Sequence, residues 1–277
     1  MSTETSHGDA SGETSVTLTV ARFEGRNRFR ITAVLVAVFA LYGVLFVWLG
    51  PELTAGEAVL DMVDALPAVL RELLGFESLA SLEGLLASEY YTFAWTVGLG
   101  GYVAYTAAGS VAGDLSADRM DTVLAAPATR RDVLLGKYLA LLVPIGVLNV
   151  VIPLLLAVAA LLVADPLSLA DLAALHLLSI PFLLTWGAIG LFLGVVVRRG
   201  RTAGRVGLGL VFFGWIFESV VSITDVAWLG ALSPMRYFDP PAILVDGTYD
   251  LVSAGVLLGV AVVFLALSTV AFERRDI

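Results

Sequence analysis

Residues 138–163 read YLALLVPIGVLNVVIPLLLAVAALLV, an apolar run of 26 residues with no formal charge. As a helix rising 1.5 Å per residue, such a run more than spans the roughly 30 Å hydrocarbon core of a bilayer. Five further stretches of the same kind lie on either side of it, at about 31–49, 92–112, 172–197, 206–224 and 251–272. Only one of the six carries a formal charge, Glu218 in the fifth. Pro51 follows the first stretch, Asp165-Pro166 separates the third from the fourth, and Pro240-Pro241 precedes the sixth, as loop markers should.

Threading the stretches in alternation sorts the basic residues. Arg22, Arg26, Arg28, Arg30, Arg119, Arg130, Arg131, Lys137, Arg198, Arg199, Arg201, Arg205, Arg274 and Arg275 fall on one side, fourteen of the sixteen, and only Arg71 and Arg236 on the other. Cytoplasmic loops retain Lys and Arg, so the basic side is inside. A wrong span count would scramble that split. The expectation is an all-α membrane protein of six transmembrane helices, in the plasma membrane, with both termini cytoplasmic. Composition agrees. Hydrophobic residues make up 58 % of the chain, charged residues 15 %, and mean hydropathy is +0.91. A water-soluble domain carries about a quarter charged residues, which excludes a soluble enzyme of ordinary kind. Fifteen Arg against one Lys, an acidic exterior and no Cys suit an organism living in high salt. Without Cys there are no disulfides and no thiolate metal sites.

Residues 1–17 are polar and rich in Ser, Thr and Glu, which predicts a disordered tail. They lack the basic start of a cleavable signal, so the first span is retained. Residues 18–30, LTVARFEGRNRFR, mix apolar positions with four Arg. They read either as an amphipathic helix on the cytoplasmic surface or as a basic flank that sets orientation. Residues 18–277 then form one membrane domain. The external segment 50–91 is too long for a plain connector. Val59, Leu60, Val63, Leu66, Leu70 and Leu74 recur there at helical spacing, with Pro67 to bend or divide the helix. It reads as a helix along the outer interface, or alternatively as a lid. Gly-xxx-Gly pairs at 109/113, 190/194, 200/204 and 255/259 are a weak packing signal.

The informative loop lies between the second and third spans: GDLSADRMDTVLAAPATRRDVLLGKYLA, residues 113–140. Met120, Val123 and Leu124 fit one side of a short helix that Pro127 ends, because the residue before a proline avoids helical geometry. Thr129 offers an N-cap for the next helix. The product is a helix on the membrane surface joined at both ends to spans, able to pass a push from a cytoplasmic partner into two spans at once.

The run MDTVLAAPATRRDVLLGK resembles the loop of type-2 ABC (ATP-binding cassette) transporter permeases. The matching positions are Asp121, Leu124, Pro127, Thr129, Arg130, Val133, Gly136 and Lys137. Leu232-Ser233-Pro234-Met235-Arg236-Tyr237-Phe238 resembles that family's Ser-Pro-aromatic stretch, and the likeness covers about residues 18–277. Asp118-Arg119-Met120-Asp121 departs from it, where the family often has a Gly-Thr pair. The resemblance implies a coupling helix that docks on a separate ABC ATPase subunit, with Asp118, Arg119, Asp121, Leu124, Pro127, Arg130, Arg131 and Lys137 as candidates for that role. It also implies a second permease chain, identical or a sister. ATP and Mg would bind on the partner, and this chain would carry no cofactor, no catalytic residue and no metal. Nucleic acid is not an expected partner. Gly136-Lys137 is no phosphate loop, since Arg131 stands where the first Gly is required and Tyr138 where Ser or Thr should follow.

Among polar residues within the spans, Glu218 and Asn149 are candidates for the translocation path. An intramembrane carboxylate is costly unless paired or hydrated, and Glu218 otherwise reads as reaching for the outer interface. Asn149 offers a hydrogen bond across a helix pair. His176, one turn into the fourth span, reads as interfacial. The leading function is the permease of an ATP-driven transporter, an exporter by family likeness. An ion-coupled secondary transporter is the alternative, but it would want more ionisable residues at mid-membrane. An intramembrane enzyme is weaker still, because Ser110 and His176 are mismatched in depth for a nucleophile and its base.

Overall fold

The computed structural model describes residues 10–54, 65–67, 70, 81–116, 129–197 and 199–275. No strand occurs among them. In chain order the elements are α1 (Ala10–Asn27), α2 (Phe29–Thr54), α3 (Leu82–Leu85), a π-helix (Leu86–Leu99), α4 (Gly100–Ser116), α5 (Arg130–Leu139), α6 (Leu142–Leu162), α7 (Leu169–Val196), α8 (Gly200–Val221), two 3-10 turns (Ala227–Leu232 and Pro234–Tyr237), α9 (Pro240–Leu244) and α10 (Leu251–Glu273). Five helical runs are long and apolar enough to cross a membrane: α2, α5 with α6, α7, α8 and α10. α3, the π-helix and α4 follow one another without a break over residues 82–116.

α7 is the central post. In its most apolar stretch 67 % of residues are buried inside the protein, against 17 % for α10. It packs against α4 and α10, α8 packs on α4, and α2 packs on α6. The close approach of α7 to α4 depends on Gly190 and Gly194. A Cβ on Gly190 would lie 2.5 Å from the Ala104 carbonyl oxygen, and one on Gly194 2.6 Å from that of Ala108. That pair of glycines is a true packing seam. Gly255 and Gly259, at the same spacing on α10, face open space. The outward faces are apolar, with Leu41, Leu162 and Val252 each at least 75 % exposed. Such a surface suits hydrocarbon rather than water.

Three expectations need correction. α1 begins at Ala10, so residues 10–17, expected as part of a disordered tail, are helical; residues 1–9 lie outside the described residues. α1 packs along α5, with Thr17 and Val20 at the contact. α2 runs through Pro51 to Thr54 instead of stopping before it. Proline is tolerated there in the last turn, where Thr54 donates its hydroxyl to the Gly50 carbonyl at 2.8 Å. The second apolar stretch starts ten residues early, at Leu82 in α3, and runs on from Leu86 as a π-helix. Its wide turns are held by side chains: Thr92 donates to the Ala87 carbonyl and Thr96 to that of Tyr91, both at 2.8 Å and both five residues back. The expected external helix of residues 59–74 lies almost wholly outside the described residues.

Candidate functional site

The basic ends of the helices meet at α5. Thr129 has extended backbone (φ −78°, ψ 158°) and caps the helix as its sequence position foretells. Its hydroxyl accepts from the Asp132 N–H at 3.1 Å, and its own N–H donates to Asp132 Oδ2 at 3.0 Å. This reciprocal capping box satisfies two backbone donors that a helix start leaves open. Thr17 of α1 adds a third contact, donating its hydroxyl to Asp132 Oδ1 at 2.5 Å. The cap is thereby also a tertiary joint.

Two more joints fasten α5. Lys137, almost fully buried, places Nζ 2.6 Å from Glu24 Oε1 on α1 and 2.6 Å from Asp114 Oδ2 on α4. One ammonium therefore ties three helices. α1 crosses directly over Gly136, where a Cβ would lie 2.7 Å from Val20 and 3.0 Å from the Thr17 carbonyl oxygen. Arg130 reaches the far end of the chain. Its Nη1 donates to the carbonyls of Phe272 at 3.0 Å, Glu273 at 3.2 Å and Arg275 at 2.7 Å, and its guanidinium sits 5.9 Å from the centre of the Phe272 ring. A cation there meets the open carbonyls and negative pole of a helix C-terminus. Arg275 in turn donates to the Val195 carbonyl in the last turn of α7.

Of the eight residues expected to couple to an ATPase, Arg130 and Lys137 are thus spent on contacts within the chain, and Arg131 is exposed. Asp118, Arg119, Asp121, Leu124 and Pro127 lie outside the described residues.

Asn149 and Glu218 have separate partners and do different things. Asn149, buried in α6, takes part in a polar network with α7: Ser179 donates its hydroxyl to Oδ1 at 2.8 Å, and His176 Nδ1 lies 3.1 Å from the same atom. The hydrogen bond across a helix pair is present. His176, expected near the interface, has its side chain inside the protein. It is buried, with Nε2 3.0 Å from the hydroxyl of Tyr91 on the π-helix. Tyr91 and Trp95 pack edge-on against its ring. Sequence spacing gave no sign of this, because Tyr91, Asn149 and His176 come from three separate elements. Glu218 stands in the last turn of α8, with Oε1 3.7 Å from Arg236 Nη1 in the stretch before α9. Gly230 makes room for the pair, since a Cβ there would collide with the Glu218 carboxylate and lie 2.7 Å from the Arg236 guanidinium. Arg236, one of two basic residues that break the charge split, is thus neutralised by the one charge within a predicted span.

At the same end, Asp250 caps α10. The Ser253 hydroxyl and N–H, and then the Val252 N–H, hold its carboxyl below the ordinary carboxylate range despite slight desolvation. The cap is in place at neutral pH and is lost as pH falls through that lowered value.

No group of His, Asp and Glu suited to a metal ion occurs among the described residues. No curated protein matches the chain. The ABC-2 family transporter protein model matches residues 18–277, from within α1 to the last residue, and on that match the chain belongs to the ABC-2 family of membrane transporter proteins.

Proposed function

We propose that this ABC-2 family member is the permease subunit of an ATP-driven exporter, working with a separate ABC ATPase and a second permease chain in the plasma membrane. It has six spans, the column of residues 82–116 being the second, and both termini are cytoplasmic. The observation that carries this reading is the family match over the whole membrane domain, residues 18–277.

The joints of α5 support a mechanical role for the loop before it. α5 continues into α6 after two residues and is fastened to α1, α4 and α10 by Asp132, Lys137 and Arg130. A displacement of loop 117–128 would reach four helices at once. Nucleotide on the ATPase biases inward- against outward-open forms only if the docked loop differs in energy between them. Gly136 and Lys137 are committed to the α1 crossing and the ion triad, which also argues against phosphate binding there. Placement of Glu218 in an ion pair at a helix end favours ATP drive over ion coupling.

Docking falls to the loop residues Asp118, Arg119, Asp121 and Leu124 and to exposed Arg131, whereas Arg130 and Lys137 hold α5 in place. Leu124→Asp and Arg131→Glu should leave the chain inserted yet weaken copurification of the ATPase by at least roughly tenfold, about 1.4 kcal/mol. Both variants would be co-expressed with the ATPase, tagged on the permease, and compared for ATPase recovered and for ATP-dependent transport. Unchanged recovery and normal transport-stimulated hydrolysis in both would reject docking at this loop.

A further inference from the structure

A cleft of ≈ 720 Å³ lies where α1 turns into α2 and meets α4 and the start of α8. Arg28 stands at that turn and lines the cleft, and it is only 9 % exposed. Among the described residues its guanidinium has no ion pair and no hydrogen bond. Glu24 lines the same cleft, but its carboxylate holds Lys137 at 2.6 Å. The charge of Arg28 acts on the hydroxyl of Tyr102 on α4, another lining residue, so the guanidinium is turned toward the cleft. A cation so enclosed is costly without an anion to neutralise it.

Two further features point the same way. α8 starts at Gly200 without a side-chain cap, because Arg199 occupies the N-cap position. Gly200 and the exposed Arg201 both line the cleft. An uncapped helix start carries partial positive charge and presents N–H groups that suit a phosphate. Along α4 the lining includes Gly109 and Gly113. A Cβ on either glycine would meet nothing within 4 Å, so the space beside them is open.

We propose that this cleft binds an anionic phospholipid of the inner leaflet, its phosphate on Arg28, Arg201 and the start of α8, and its acyl chains leaving past Ile31 and Tyr105. A phosphate diester supplies the missing negative charge, and its oxygens match the fork of a guanidinium. The volume falls within the range of roughly 300–1,000 Å³ that takes one small ligand or headgroup. Ile31 and Tyr105 line the cleft and are both exposed, so its rim continues into the apolar surface that suits hydrocarbon. A soluble anion would use the cations and leave that rim uncovered. The choice of leaflet rests on the six-span threading. Binding itself requires neither that orientation nor an ATPase.

The probe is phosphatidylglycerol, titrated onto the purified chain in neutral detergent and counted by native mass spectrometry. Diacylglycerol with the same chains lacks the phosphate, and glycerophosphoglycerol keeps the phosphate diester without the chains. A single phosphatidylglycerol should bind at least about tenfold more tightly than diacylglycerol, the worth of one charge-assisted hydrogen bond. Equimolar glycerophosphoglycerol should not displace it. Arg28→Gln should weaken binding by at least about tenfold. Gly109→Leu keeps every cation and fills the open space; it should weaken binding as much, and it decides the matter should Arg28→Gln fail to fold. Equal binding of diacylglycerol would reduce the site to an apolar groove and overturn the proposal. Displacement by glycerophosphoglycerol would make the ligand a soluble phosphate ester and overturn the lipid assignment. An affinity unchanged in either folded variant would put the lipid elsewhere on the basic face, and lipid found on monomers but never on dimers would give the cleft to a second copy of the chain; each overturns the proposal. None of these outcomes bears on ATPase docking at residues 117–131.

Discussion

Lys137 shows how one side chain takes on a role its neighbours in sequence do not reveal. Its resemblance-based reading placed it in a docking surface, yet its ammonium is buried between Glu24 and Asp114, residues 113 and 23 positions away. A buried charge deprived of its partner is costly, whereas replacing the whole group by neutral side chains is often nearly free. Lys137→Met should therefore lower stability by about 2 kcal/mol, a figure reduced from the fully buried case because both carboxylates keep some contact with solvent. The triple variant Glu24→Gln/Asp114→Asn/Lys137→Met should recover most of that loss. Thermal unfolding of the three proteins in one detergent tests both parts; a single variant as stable as wild type would mean the triad is only a surface pair. The Glu218–Arg236 pair lies between the two kinds, since Arg236 is 41 % exposed, Glu218 17 %, and the gap is 3.7 Å.

At the level of the element, α5 is short, and a helix of ten residues is marginal in water by itself. Its start is set by Thr129 and Asp132; Thr129 was legible as an N-cap, whereas the return contact from Asp132 is seen only in the structure. Thr129→Val keeps the branched shape and removes the hydroxyl, and should cost about 1 kcal/mol. Faster amide exchange confined to the first turn of α5 would mark loss of the cap, while exchange spread through α1 as well would mean that the Thr17–Asp132 joint goes with it. The π-helix was not legible. Its apolar residues satisfy an α-helical pattern equally well, and only the Thr92 and Thr96 hydroxyls on carbonyls five residues back favour the wider turn.

For the molecule as a whole, α7 is enclosed by neighbours while α2, α6, α8 and α10 turn broad apolar faces outward. The six-span threading makes a sharp labelling prediction, aided by the absence of native cysteine. Single replacements Glu83→Cys, Asp165→Cys and Asp246→Cys should react with an impermeant maleimide from outside intact cells. Arg131→Cys, Arg201→Cys and Arg274→Cys should react only after permeabilisation. Were Glu83→Cys and Arg131→Cys to label from the same side, residues 82–116 would not cross and the threading would fail.

Sequence by itself determined that the chain is helical and apolar, where most of its long helices run, how the basic residues divide, and where α5 starts. Those are properties of composition and of neighbours within a turn or two, set by the energy of moving apolar and charged groups between water and hydrocarbon. Tertiary structure alone decided that Lys137 is buried in an ion triad, that Arg130 closes on the end of α10, and that Tyr91, His176 and Asn149 form one network. Each of these depends on atoms brought together from distant parts of the chain. A buried hydrogen bond or ion pair stabilises only when both partners arrive, so neither residue announces it alone.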